Sequence, residues 1–315
     1  MVDKLDLKII SLLSMNCRIS YRNISSIVDL TPNAVKRRVN KMISSGIIKD
    51  FVVRVNPYLF GYEKEYSLTI TNITRKFKEE DIVNKLRLVG EMLVYAKQLG
   101  GSSICVLAVK SQSEERIKLI NDLLKPAVIE KSIFANYKST SIEIQTTDLK
   151  IIKSLLLNPR MQIEEISKYT SLSTKTIARW FEKMKTHQIL QFTIIRDMSS
   201  TQLVGYIEFA LLINVENSFY TNIVNTISHE MDEHILIIPN LYHNDIIFAV
   251  FFCANIPTLD LILTRIQTYK GVKKIELFIT TKLAFYQDWL KKEIDKRISM
   301  IYKGQNTNLT KIEGF

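Results

Sequence analysis

Apolar side chains recur at three- and four-residue intervals through Leu7, Ile10 and Leu13, then Ile24, Ile27 and Val28, then Val35, Val39 and Met42. That spacing puts each set on one face of a helix, and so predicts three short helices, each with one buried stripe. The third is marked at its start: Thr31 is a good N-cap, and Pro32 fits the first helical position, where its missing N–H costs nothing. A short turn between helices two and three makes the pair a helix-turn-helix. After them, "IIKDFVVRVN" has the β-branched, partly alternating look of a two-stranded wing.

The whole layout returns 142 residues later. Residues 6–48 align with 148–190 without a gap, and 15 of the 43 pairs are identical, which marks a duplication. Leu149, Ile152 and Leu155 repeat the first stripe, Ser173 repeats the N-cap, and "ILQFTIIRDM" repeats the wing. Each copy then reaches a Gly-Tyr pair, Gly61-Tyr62 and Gly205-Tyr206.

Past those pairs the period changes from helical to strand-like. Strands are predicted over 64–73, 91–99, 102–110 and 129–137, with helical patterns at 79–89 and 113–125. The second copy repeats the order with "YIEFALLINV", a helix over 217–230, "HILIIPNL", "DIIFAVFFCA", a helix over 257–269 and "VKKIELFITT". A βαββαβ order gives an antiparallel sheet covered by two helices, the ferredoxin-like arrangement. The expected fold class is therefore α+β. Two winged helix-turn-helix units (1–62 and 146–206) alternate with two ferredoxin-like domains (63–145 and 207–281), and 282–315 form a closing helix and tail, the helix from 282 to about 302.

Composition changes this picture little; charge changes it more. The 315 residues are 46% apolar and 24% charged, enough for two or more real cores. The longest clean apolar run, 246–254, is half the length of a membrane span and reads as a buried strand. The N-terminus has no secretion signal, so a cytoplasmic protein with no membrane partner is expected. Cys17, Cys105 and Cys253 are too scattered for a disulfide framework or a zinc site and read as small core residues. In "HEMDEH" the histidines His229 and His234 are five apart, roughly 140° around a helix, so they cannot share a metal as an i, i+4 pair does. No metal or cofactor is expected. Of the net charge of +11, +6 falls in 1–62 and +4 in 146–206, while 207–281 carry −4. Basicity concentrated in the two helix-turn-helix segments points to two contacts with a polyanion.

On the third helix, the face opposite Val35, Val39 and Met42 presents Asn33, Arg37, Asn40 and Lys41, with Lys36 and Arg38 at its edges. There is no acidic residue between 30 and 49. Such a face suits the major groove of double-stranded DNA, where arginine and asparagine read base edges and lysine neutralises phosphate. In the second copy Lys175, Thr176, Arg179 and Lys183 take the same side, with Glu182 among them.

The run "LDLKIISLL", then "RISYRNIS", then "LTPNAVKRRVNKMISSGIIKDFVVRVNPYLFGY", resembles the Lrp/AsnC family of transcription regulators. The resemblance implies a DNA-binding unit joined to a sensing domain, twice over, and a fused dimer able to assemble further. It assigns the recognition-helix arginine to Arg38 and the helix-ending glycine to Gly46; the second copy holds Trp180 and Gln188 there, and Trp180 reads better as core. It also implies an amino-acid or other small-molecule effector near the turn joining the second and third strands of the sensing domain. Gly100, Gly101 and Ser102 occupy that turn in one copy, and His243 and Asp245 in the other. The function expected is sequence-specific DNA-binding regulation. Siroheme decarboxylases share the architecture and are enzymes; they would need basic and histidine side chains lining the sensing cleft, where "YHND" offers His243 and no nearby arginine. A metabolite-binding adaptor without specific DNA affinity is the other alternative.

Overall fold

A computed structural model describes residues 2–73, 77–110, 114–136, 144–186, 189–197, 205–237 and 245–309. Three helices open the chain: α1 (Lys4–Met15), α2 (Tyr21–Val28) and α3 (Pro32–Ser44). Each is capped as its sequence dictates. Asp3 and Asp6 form a capping box on α1, Ser20 Oγ accepts from the Asn23 amide, and Thr31 Oγ1 accepts from the Ala34 amide ahead of Pro32. Ile27, assigned above to the buried stripe of α2, is 53% exposed; Ile24, Ser25 and Val28 turn inward instead. At the end of α3, Gly46 takes φ of +77°, a left-handed turn that L side chains adopt only under strain.

A single strand, β1 (Ile48–Val55), follows, then the sheet strand β2 (Lys64–Thr71), α4 (Glu79–Leu86), β3 (Glu91–Gln98), β4 (Ser103–Val109), α5 (Glu114–Lys118), α6 (Ile120–Leu123) and β5 (Val128–Asn136). The single helix expected over 113–125 is thus two short ones. The second half repeats the order with α7 (Thr146–Leu157), α8 (Ile163–Thr170), α9 (Thr174–Thr186), β6 (Leu190–Arg196), β7 (Ile207–Val215), α10 (Tyr220–Glu230), β8 (Ile235–Ile237), β9 (Ile246–Cys253), α11 (Ile256–Gln267) and β10 (Val272–Phe278). Two elements then close the chain, β11 (Thr280–Phe285) and α12 (Asp288–Leu309). The closing helix therefore starts six residues later than expected, because "TTKLAF" is taken up as a strand on the open edge of β3, from Thr280↔Gln98 to Phe285↔Val94.

The sheets run β11-β3-β4-β2-β5 and β10-β7-β9-β8. Taken from the fourth strand of each copy, both read fourth, first, third, second. In each sheet one set of alternate residues packs under the helices: Leu68, Ile70, Cys105 and Leu107 in the first, Phe209, Leu211, Ile247 and Phe251 in the second. All three cysteines are buried and free.

The wings depart from expectation. Among the described residues neither half makes a two-stranded wing of its own. β1 pairs antiparallel with β6, from Phe51↔Ile194 to Val55↔Leu190, so one ribbon is built from both halves of the chain. The helical units are exchanged in the same sense. α1 to α3 share a core with Ala210, Leu236 and Val250 of the second sheet, and Ser11 Oγ donates to the Leu236 carbonyl at 3.0 Å. α7 to α9 share a core with Leu93, Val106 and Ala108 of the first sheet and with Trp289, Leu290 and Ile294 of α12. Burial of each such large aliphatic or aromatic side chain contributes roughly 1.5–3 kcal/mol, so the two halves are held together by a core and not by a tether. Arginines at equivalent positions lock the crossing. Arg18 lies over Phe181 (4.6 Å) and Phe192 (5.3 Å), while Arg160 lies over Tyr21 (4.7 Å) and Phe51 (5.1 Å). No helix among the described residues is long and apolar enough to cross a membrane.

Candidate nucleic-acid interface

The buried side of α3 is the stripe Val35, Val39 and Met42, as its period requires. That stripe fixes the opposite side. Asn33, Lys36, Arg37, Asn40 and Lys41 are all exposed, and no carboxylate is paired with any of them among the described residues. This is a row of donors and positive charge on the helix that follows the tight turn at Asp29, which sits in the left-handed region with φ of 53°.

Arg38 is placed differently from the sequence reading. Its guanidinium turns back onto α1, donating to Asp3 Oδ2 and Asp6 Oδ1 at 2.8 Å each. The reason is geometric: Arg38 is on the flank between the buried stripe and the exposed row, within reach of the two carboxylates that cap α1. It braces α3 against α1. Burial alone would push the Asp3 carboxyl up, but the Asp6 amide and the Arg38 guanidinium outweigh it and hold it below its ordinary value. Arg38→Met is expected to lower stability by no more than about 1 kcal/mol, since the pair is partly screened by solvent, and to weaken operator binding less than Arg37→Ala. A depressed carboxyl stabilises fully above its unfolded value of about 4 and loses that contribution as pH falls through the lower folded value. Urea unfolding of both proteins at neutral pH and near pH 3 checks this; an unchanged gap between them at the two pH values would contradict it.

In the second unit Lys175, Thr176, Arg179, Glu182 and Lys183 are exposed on α9. Thr176 is committed to the helix start, its amide donating to Ser173 Oγ at 3.1 Å and its hydroxyl lying 2.8 Å from the same oxygen. Trp180, at the position of Arg38, is 5% exposed and packs edge-on to Phe181, as its size suggests. Gln188 and His243 lie outside the described residues.

The candidate effector positions do not converge. Gly100 and Gly101, at φ of 87° and 91°, make the hairpin between β3 and β4, closed by the Gln98 amide donating to the Ser102 carbonyl at 2.9 Å. Asp245 is exposed, and its carbonyl accepts from the Val215 amide in the other sheet. In "HEMDEH", α10 ends at Glu230, which pairs with Arg265 and Tyr269, and no group of three metal-ligating side chains occurs among the described residues. Side chains missed by the sequence reading lie between the sheets: Arg18, Arg54 and the buried pair Arg196–Glu208, 2.6 Å apart, line a cavity there. The repeat held the clue, since Arg54 and Arg196 are 142 residues apart, as are Arg18 and Arg160.

Residues 2–49 match the winged helix-turn-helix DNA-binding family HTH_24. An uncharacterised HTH-type transcriptional regulator of Pyrococcus abyssi is 31% identical over 133 residues, which are 42% of this chain and 88% of that protein. The HTH-type transcriptional regulator LrpB of Bacillus subtilis is 28% identical over 125 residues, 39% of this chain and 82% of that protein. The chain belongs to the Lrp family of helix-turn-helix transcriptional regulators. It is about twice as long as these Lrp-type relatives, since a match that nearly spans each of them takes two-fifths of it. Among solved structures, the siroheme decarboxylase NirDL aligns over 95% of this chain and 100% of its own at 13% identity and a TM-score of 0.49, a likeness too weak to bear on the chemistry of this Lrp-family chain.

Proposed function

We propose that this Lrp-family chain is a fused dimer that binds double-stranded DNA through two winged helix-turn-helix units, 1–62 and 146–206, carried on two ferredoxin-like domains, 63–145 and 207–281, with 282–315 closing the chain. The gapless repeat, the shared strand order of the two sheets and the exchange of helical units across them support the duplication. The observation that carries the DNA reading is the exposed row Asn33, Lys36, Arg37, Asn40 and Lys41 on the helix after the turn. Arg37, opposite the buried stripe, reads a base edge; Lys36, to its side, meets phosphate. A pair of such units suits half-sites about 34 Å apart, or a multiple of that. Gly100, Gly101, Ser102 and Asp245, with His243, are where the family pattern places a small effector such as an amino acid. A second copy of the chain is a further partner through the same sensing surfaces.

The test is a salt series. Arg37→Ala should weaken specific binding by about 1–3 kcal/mol and relax one operator position, while Lys36→Ala should weaken all sequences alike and lower the salt slope by about one unit. Equal losses on operator and random DNA for Arg37→Ala would remove its base-reading role. A wild-type affinity indifferent to salt would remove the DNA reading altogether.

A further inference from the structure

The two sheets leave a cavity of about 900 Å³ between them. It is walled mainly by the sheet faces turned away from α4 to α6 and from α10 and α11, parts of which, Ala210 and Val250 among them, also pack against α1 to α3 or α7 to α9, and the two walls differ. On β2, an inner strand of the first sheet, the row facing the space is Glu65, Ser67 and Thr69, beside Ile104 and Val106 of β4, with Gln98 and Thr280 at one end. On the facing strands β7 and β9 the row is Ala210, Leu212, Ile246, Phe248 and Val250, with Glu208 and Asn214 at the two ends of β7. Along β2 the first wall thus offers hydroxyl groups, while the second is hydrocarbon over its middle and polar at Glu208, Asn214 and Glu276. Above them the ribbon of β1 and β6 contributes Arg54, which donates to Gln191 Oε1 at 3.2 Å and lies 5.2 Å from the Phe285 ring centroid, and which meets no carboxylate among the described residues.

Apolar surface facing an opening of this size forfeits dispersion contacts on one side, whereas small-molecule sites of several hundred cubic ångströms are mostly apolar with a few placed polar groups. We propose that this space is a binding site for a flat, uncharged amphipathic small molecule, its hydrocarbon face against Leu212, Phe248 and Val250 and its hydrogen-bonding edge along Ser67 and Thr69. The ligand is uncharged because the charged side chains in the wall balance in sign, and because Arg196 and Glu208 already satisfy each other. The site is separate from the hairpin at Gly100 and Gly101 and from Asp245, none of which lines the cavity.

The probe is Nile red, a flat neutral dye whose emission rises and shifts to the blue in apolar surroundings. The full chain should bind it saturably. Filling the space from both walls with Ser67→Phe and Leu212→Phe together should weaken binding at least about tenfold, equivalent to 1.4 kcal/mol. Leu212→Asn, close in size at a half-buried position, should weaken it by a similar factor and guards against a double variant that fails to fold. No saturable binding by the wild-type chain would overturn the proposal. So would unchanged affinity in Leu212→Asn, or in the double variant with wild-type circular dichroism.

Discussion

The double substitution Arg37→Ala with Lys41→Ala is expected to abolish specific operator binding, whereas Arg179→Ala with Lys183→Ala should leave a weakened but still specific complex. Helices α3 and α9 have the same frame and different surfaces. Along α3 the exposed row is positive or neutral throughout; along α9 the position equivalent to Asn40 holds the exposed carboxylate of Glu182, and Thr176 is tied to its cap. A carboxylate beside phosphate is repulsive unless it accepts from a cytosine amino group, so the second unit either binds more weakly or takes a different half-site. Losing one base-reading arginine costs about 1–3 kcal/mol, and losing a phosphate contact with it takes the first unit down to non-specific affinity. Anisotropy titrations on operator and random duplexes at one salt concentration measure both pairs. Matching losses for the two double variants would mean that the second unit reads DNA as fully as the first.

A second large effect is expected at the buried pair beside the ribbon. Arg196→Leu should cost about 3–5 kcal/mol, because it leaves Glu208 charged and unpaired in the interior. Replacing Glu208 by Leu as well should restore most of that loss. Burial already raises Glu208 above its ordinary value, with Arg196 opposing the rise, so removing the arginine raises it further. A carboxyl whose folded value is raised binds more protons folded than unfolded, so the single variant should lose stability as pH rises above about 4.3 and regain it in acid. Urea titrations of the single and double variants from about pH 4 to about pH 8 test both halves of the expectation. A double variant no more stable than the single would show that the arginine acts through packing alone.

What the sequence made legible was local. The stripes of α1, α3 and α7 and the caps at Thr31 and Ser173 all follow from spacing and from residues a few positions apart, and the turn at Gly46 from the family resemblance. The burial of Trp180 followed from its size. What stayed hidden was pairing at a distance. The alternation in "DFVVRV" marks a strand but cannot name its partner, which lies in the second half of the chain. The family resemblance assigns Arg38 to DNA, but its partners are 32 and 35 residues earlier on α1, beyond the reach of any pattern on its own helix. Residues 282–285, expected as the start of the closing helix, are strand because their partner β3, in the first half of the chain, has an open edge.

The shared ribbon also sets an order of events during synthesis. When the first unit leaves the ribosome, β1 has no partner and α1 has no sheet to cover it; both wait until residues 190–253 have been made. Contacts of such long sequence separation form late and slowly. In the interval an unpaired strand edge and an apolar helix face are open to other chains. The first half made alone, with nothing to wait for, would find its missing partner only in a second copy of itself.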